Sequence, residues 1–327
     1  MDEEEPSIER LVEEARRLEE QGATEQALDS WRAVISREQD PDYLCKFGML
    51  ALDSGRWSEA EEAFASAIKI APTEPEAYEG MGILLEQLGQ YERAKAYLTK
   101  SLDLEKTASA FTVLGCSQMG LDEFDAARDS FRAALKIDPN YEEAYYNMAL
   151  TFTGEQLGES VTLLRQAIEI DPAYAKAHRE VGWRLYKTGQ PQEGKTHLMY
   201  AIDLNPSDGW SYIYLGNLMW RAGELDSAER MFKRAGEVWP DSSVPYWSLA
   251  MFYEYSNRPG QAQPLYEKAL REDPADPVVY RRYGLLLKDL GLLDKAKNYL
   301  ELAIDLNPGD RVAQSALASL KPCQHRE

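Results

Sequence analysis

The sequence predicts an all-α chain built as one array of antiparallel helix pairs, and three recurrences predict it. Asp-Pro or a close relative returns at Pro139, Pro172, Pro206, Pro240, Pro274 and Pro308, the last four steps each 34 residues long. A fixed period in this range is the mark of stacked repeats. Small residues keep the same phase. Gly48, Gly82, Gly115, Gly182, Gly216 and Gly284 recur, with Ala149 and Ala250 in that place in two other units. Twelve residues on stand Ala60, Ala94, Ala127, Gly194, Ala228, Ala262 and Ala296, and a third set follows at Ala67, Ala134, Ala201, Ala235, Ala269 and Ala303. Between the first two sets, Gly55, Gly89, Gly189, Gly223, Asn257 and Gly291 supply a turn, so each unit is a helical hairpin whose helices approach closely. With 327 residues, 44% of them apolar, and a mean hydropathy of -0.50, the apolar residues must be spread over many small interfaces or concentrated in two or three domains. The repetition decides for the array.

Taken in order, residues 1–7, "MDEEEPS", are an acidic, loose start. The first unit, 8–40, has Arg17 and Leu18 near the place of the small residue, and reads as an N-terminal cap. The second, 41–74, carries Gly48, Gly55, Ala60 and Ala67 in register. The third, 75–107, is one residue short and has Leu104, Glu105 and Lys106 where Pro is expected; the fourth, 108–141, closes on Pro139. The fifth, 142–174, contains "TFTGEQLGES", is also short, and puts Ser160 where Ala is usual, so it and the third are places for a local bend. The sixth, 175–208, has His178 where other units have an aromatic. In the seventh, 209–242, Tyr212, Leu215, Met219, Phe232 and Val238 fill the space within and between hairpins. The eighth, 243–276, turns on Asn257, and the ninth, 277–310, ends at Pro308. Residues 311–320, "RVAQSALASL", have one apolar stripe of Val312, Ala316, Leu317 and Leu320 and should cover the end of the array, leaving 321–327 as a loose tail.

Tyr280, Tyr283-Gly284, Leu287, Ala296, Leu300, Ala303 and Pro308 give an aromatic, a Gly, a large apolar residue, Ala, a large apolar residue, Ala and Pro. In this the chain resembles the tetratricopeptide repeat family, with nine repeats covering nearly its whole length. The resemblance implies a right-handed superhelical solenoid of antiparallel helix pairs, closed by the C-terminal capping helix. It also implies that one face of each first helix lines a concave groove, and that the function is to bind a protein.

Several classes are disfavoured. The acidic N-terminus lacks a basic segment followed by an apolar one, and no apolar run is long enough to span a bilayer, so no membrane association and a cytoplasmic location are expected. Cys45, Cys116 and Cys323 have neither a disulfide nor a metal spacing, and Cys323 with His325 offers only two ligands, so no metal is expected. His178 takes the place of a packing aromatic, His197 has no sequence neighbour that would make it a general base, and every Gly falls at a repeat position or a turn. The expectation is no enzyme and no cofactor. A formal charge of -20 repels phosphate, which disfavours nucleic acid as a principal ligand.

Helical spacing separates the packing face of each first helix from the face that the resemblance places in the groove. In "GWSYIYLGNLMW", Tyr212, Leu215, Gly216 and Met219 pack, while Trp210, Ile213, Tyr214, Asn217, Trp220 and Arg221 project to the other side. Repeats one to three present Glu9, Glu13, Glu19, Glu20, Asp42, Asp53, Glu76, Glu79 and Glu86 there against Arg16 and Lys46. Repeats six to nine instead present Lys176, Arg179, Trp183, Tyr186 and Lys187, then Trp210, Tyr214, Asn217, Trp220 and Arg221. Trp247, Met251 and Tyr255 follow, then Arg281, Arg282 and Lys288, against the acids Glu180, Glu254 and Asp289, with Leu285 extending the apolar floor. Trp, Tyr and Arg are the usual anchors of protein interfaces, so these sixteen polar, aromatic and Met positions are the expected partner-binding residues. The expected ligand is a protein segment with acidic and apolar or aromatic side chains. The clamp by which some family members hold chaperone C-terminal carboxylates is disfavoured: Asn147 and Lys176 match fragments of it, but Glu180 stands where its Arg would be, and Tyr146 and Thr112 where its first Lys would be. The Asn ladder of repeat arms on sugar-transferring enzymes is absent, since only Asn147 falls on that track. An adaptor or regulator is the leading reading. A head-to-tail self-associating scaffold is the alternative, and an RNA-binding array a weaker one.

Overall fold

Helices pair in chain order throughout residues 6–320, which the computed structural model describes. No strand is present among the described residues. Residues 1–5 and 321–327, with Cys323 and His325, lie outside them. Contacts divide the chain after Pro172 into two compact units. In the first, α1 (Ile8–Glu20) pairs with α2 (Thr24–Arg37), α3 (Pro41–Asp53) with α4 (Trp57–Ile70), and α5 (Pro75–Gln87) with α6 (Tyr91–Leu104). Then α7 (Ala108–Gly120) pairs with α8 (Phe124–Ile137), and α9 (Glu142–Leu150) with α10 (Leu157–Ile170). In the second unit α11 (Ala175–Lys187) pairs with α12 (Pro191–Leu204), α13 (Gly209–Arg221) with α14 (Leu225–Val238), and α15 (Ser243–Tyr255) with α16 (Pro259–Glu272). α17 (Pro277–Asp289) pairs with α18 (Leu293–Leu306), and α19 (Arg311–Leu320) packs on α18.

Small residues set the distance between paired helices. Ala60, Ala94, Ala228, Ala262 and Ala296 have no exposed surface. In α11 and α12 both contact residues are glycine, and the backbones meet: a Cβ on Gly194 would lie 2.6 Å from the Gly182 carbonyl oxygen. Each turn then passes through one residue at positive φ. Gly223, at φ 81°, closes a Schellman motif in which its N–H donates to Trp220 O at 3.0 Å and the Glu224 N–H to Met219 O at 2.9 Å. Asp122 (φ 60°) and Asn257 (φ 57°) hold the same conformation with a side chain attached.

The short fifth hairpin has a local cause. α9 ends at Leu150, a 3-10 turn spans Gly154–Gln156, and Gly154 takes φ 59°. At this early end the Ala149 carbonyl accepts from the Phe152 N–H at 3.3 Å, and Ser160, in the usual Ala place, donates its hydroxyl to it at 2.7 Å. In the third hairpin the missing Pro is offset by Thr107, whose Oγ1 accepts from Ala110 N at 3.0 Å and caps α7.

The fourth residue of the first helix has a role beyond packing. Tyr78, Tyr212 and Tyr246 donate their hydroxyls to the carbonyls of Pro72, Pro206 and Pro240, six residues upstream, at 3.1, 3.2 and 2.8 Å. Gln314 of α19 does the same to Pro308 O at 2.7 Å. The aromatic thus pins the proline turn that precedes its own helix. α19 departs from the expected stripe by one residue: Ala313 and Ala316 are buried, with Leu317 and Leu320 partly so, while Val312 is 53% exposed. Asp310 fixes that phase by accepting from the Val312 and Ala313 N–H groups, both at 3.0 Å.

Polar contacts tie successive hairpins together. Glu229 of α14 accepts from Tyr253 Oη and Arg258, each at 2.8 Å, and from Lys233 at 2.7 Å. Burial pushes this carboxyl up, but the hydrogen bonds from Lys233, Tyr253 and Arg258 together outweigh it and hold it at about 2, against an ordinary 4.5. Its contribution is therefore complete above about pH 4.5 and disappears as pH falls towards 2. Glu229→Gln is expected to lower stability at pH 7 by about 1–3 kcal/mol and to flatten the stability–pH curve of chemical denaturation in that acid window. For the turns, thermal unfolding should show Asp122→Gly stabilising by up to about 1 kcal/mol and Gly223→Ala destabilising by about 1–2 kcal/mol, the cost of a Cβ in left-handed backbone.

Candidate functional site

Side-chain roles along the first helices repeat with position. Counting from the first residue of each, the fifth meets the start of the next hairpin. Arg179, fifth in α11, donates to both carboxylate oxygens of Asp208 at 3.2 Å, and Asp208 is the residue just before α13. Arg281, fifth in α17, pairs with Asp310 just before α19 at 2.8 Å. In the first unit Glu79, fifth in α5, accepts from the α7 cap Thr107 at 3.1 Å. Ile213, fifth in α13, is 3% exposed, so it belongs to the core and not to the far face assigned from spacing. Trp247, fifth in α15, is half-buried against the same core. In α11, α13 and α15 the ninth, twelfth and thirteenth residues are half-buried or exposed.

Nine of the sixteen anticipated residues meet around one recess of about 540 Å³ in the second unit: Trp183, Tyr186 and Lys187 of α11, Asn217, Trp220 and Arg221 of α13, Met251 and Tyr255 of α15, and Arg282 of α17. Its aromatic walls are mutually braced. Trp183 stacks on Tyr214 at 4.6 Å and 11°, with the Lys187 ammonium 4.5 Å from its ring centre. Trp220 stands edge-on to the buried Phe252 at 5.8 Å and meets Tyr255 at 5.6 Å, and Tyr255 is 66% exposed. Burial, and then the nearby Glu180, pushes the Tyr214 phenol up to about 12, so it stays protonated. Seven residues take other places. Trp210 packs edge-on against Trp239 at 5.8 Å and beside Tyr214. Tyr214 backs Trp183, Arg179 and Arg281 are held in ion pairs, Trp247 packs on the core, and Lys176 and Lys288 lie off the recess.

Charge around the recess is uneven. Elsewhere in this unit Lys195 pairs with Glu224, Arg258 with Glu229, and Arg179 and Arg184 share Glu180. Among the described residues no carboxylate lies within 4.0 Å of the Lys187, Arg221 or Arg282 cations, and Arg282 Nε is buried with no hydrogen-bond partner. The first unit has an opposite recess of about 530 Å³, with Met49 and Ile83 between Glu76, Glu79 and Glu105 and only Lys46 as a cation. Burial raises the carboxyl of Glu86, one turn beyond Ile83. Burial first, then neighbouring acids, pushes the Cys45 and Cys116 thiols up to about 12, so they remain protonated at neutral pH. His178 is buried and sits Nδ1 to Nδ1 at 2.9 Å from His197, with Tyr200 edge-on at 4.6 Å. Their separation of nineteen residues gave no sequence sign of that pairing. Among the described residues no group of three or more His, Cys, Asp or Glu could hold a metal, and no helix is long and apolar enough to cross a membrane.

Family models described as tetratricopeptide repeat match residues 12–75, 51–110 and 255–320, and one described as TPR repeat matches 121–155. Protein O-mannosyl-transferase TMTC3 of Homo sapiens is 24% identical over 81% of this chain and 31% of its own length. Protein CTR9 homolog of Arabidopsis thaliana is 25% identical over 81% and 26%, and anaphase-promoting complex subunit 3 of Schizosaccharomyces pombe 23% over 78% and 38%. The chain thus spans between about a quarter and two fifths of these relatives. Among solved structures, the APC/C hetero-tetramer Cut9-Hcn1 superimposes with a TM-score of 0.64 at 15% identity, covering 91% of this chain and 59% of the other. Yeast Tom70 does so with 0.54 at 16%, covering 96% and 80%. These two likenesses are of fold: stacked helix pairs.

The two kinds of arginine should separate by stability. Arg179→Ala leaves Asp208, whose side chain is 12% exposed, without its cation and is expected to cost about 3–5 kcal/mol. Arg221→Ala, at an exposed position, should stay within about 0.5 kcal/mol. Urea denaturation of the two variants against wild type checks this.

Proposed function

The chain belongs to the tetratricopeptide repeat family, and from that premise we propose that it is a non-catalytic adaptor or regulator that docks a segment of another protein on the first helices of its second unit. The observation that carries this is Trp220 with Tyr255: a half-buried ring that lines the recess beside one that is 66% exposed, next to cations with no carboxylate within 4.0 Å among the described residues. A surface of this kind is costly in water and pairs well with a partner that covers it, because aromatics and arginine dominate binding energy where solvent is excluded. Phe252 and Tyr214 brace the aromatics from behind, so little side-chain freedom is lost on binding. Several similar proteins are parts of assemblies by their names, an anaphase-promoting complex subunit and a solved hetero-tetramer among them, which agrees with such a role. The cytoplasm, the location expected from the sequence, is where we place that partner.

The test is chemical cross-linking with mass spectrometry on complexes recovered from native extract by wild-type protein and by a Trp220→Ala/Tyr255→Ala variant of unchanged helicity. A partner cross-linked beside α11, α13 and α15 in the wild type and at least tenfold depleted with the variant is the expected outcome. Equal recovery, or cross-links confined to the second helices, would sink this reading.

A further inference from the structure

The order of charges and rings across the recess says more about its occupant. Lys187 and Arg221 are both the last residues of their helices, α11 and α13. Arg282 lies on α17, with α15 between it and α13. The aromatic pair Trp220–Tyr255 and Met251 occupy the interval. Cationic places therefore flank an apolar place, spread over four successive first helices. A compact anion such as one phosphate would need donors pooled at one point; here they are strung out, and Lys187 already leans on the Trp183 face.

We propose, resting on the docking reading above, that this recess selects an extended segment in which one aromatic side chain is flanked on both sides by carboxylates. The aromatic ring inserts beside Trp220 and Tyr255. One carboxylate meets Arg221 and Lys187, and the other accepts from the Arg282 guanidinium where it lines the recess. Packed helices lie about 8–10 Å apart, so the two helix steps from α13 to α17 span roughly 16–20 Å. An extended chain advances about 3.3 Å per residue and arginine side chains shorten the gap, which sets the two acids roughly three to six residues apart. Charge supports the occupant: among the described residues Lys187, Arg221 and Arg282 have no carboxylate within 4.0 Å, Glu254 acting on Arg282 only from farther off, and a basic or neutral segment would leave them without a direct ion pair.

The experiment is selection from a random twelve-residue displayed peptide library on the full-length protein, counter-selected on the Trp220→Ala/Tyr255→Ala variant. Enriched sequences are expected to carry Asp or Glu on both sides of an aromatic at that spacing. A synthetic consensus peptide should lose at least tenfold in affinity on Arg282→Gln and on Arg221→Gln, both checked for helicity by circular dichroism, and should weaken as salt rises. Basic or neutral peptides that still depend on the aromatic pair would overturn this proposal and leave the docking reading standing. No peptide dependent on the pair would overturn both. Salt-sensitive oligomers dissolved by Arg282→Gln, with no peptide enriched, would overturn it in favour of a second copy as the occupant.

Discussion

The close approach of two helix backbones inside each hairpin is the constraint on which everything else depends. Where Gly182 and Gly194 face each other, the carbonyl of one stands where a Cβ of the other would be, and no larger side chain fits without moving a helix. Elsewhere one alanine replaces one glycine and is wholly buried. That contact fixes the rotation of each first helix about its axis. Once the eighth residue must face the second helix, the fourth is turned to the preceding proline, the fifth to the next hairpin, and the ninth, twelfth and thirteenth are released from packing. Eight of the nine residues of the recess in the second unit occupy those positions, Arg282 being the sixth of α17, so most of its place follows from a constraint that has nothing to do with binding.

Much of the fold was legible because it is periodic. Gly and Ala at two places, a turn residue and a proline mark each hairpin without reference to the rest. What stayed hidden is what happens between repeats. Spacing placed Ile213 on the far face because a helical projection knows only one helix; in the folded array it is part of the core. Arg179 and Arg281 looked like groove cations for the same reason, yet each is spent on an aspartate 29 residues on. The tyrosines at the fourth position were legible as aromatics, but their hydroxyl bonds to proline carbonyls were not. Val312 and Ala313 exchange roles because Asp310, and not hydrophobicity, sets the phase of α19. The His178–His197 contact joins residues with no shared motif.

The recess was legible in composition and not in geometry. Counting aromatics and cations on the outward face pointed to the helices that line the recess, but could not tell Trp210, which is braced against Trp239, from Trp220, which borders open volume. Both are large and both are on α13, but Trp210 meets Trp239 at the end of its own hairpin while Trp220 meets Phe252 and Tyr255 of the next. Uncompensated charge is a similar quantity: Arg281 and Arg282 are adjacent in sequence, and one is neutralised by Asp310 while the other is left with a buried donor unsatisfied.

Asp310 serves two masters, accepting from the Val312 and Ala313 N–H groups that start α19 while gripping Arg281 of the hairpin before. A helix nucleus is the costly part of helix formation, and here the group that lowers that cost is held in place by the previous hairpin. Formation of α19 is therefore coupled to the folded hairpin of α17 and α18 through the Arg281–Asp310 pair. A chain emerging during synthesis would complete that hairpin first, so that Arg281 stands ready when Asp310 starts the last helix.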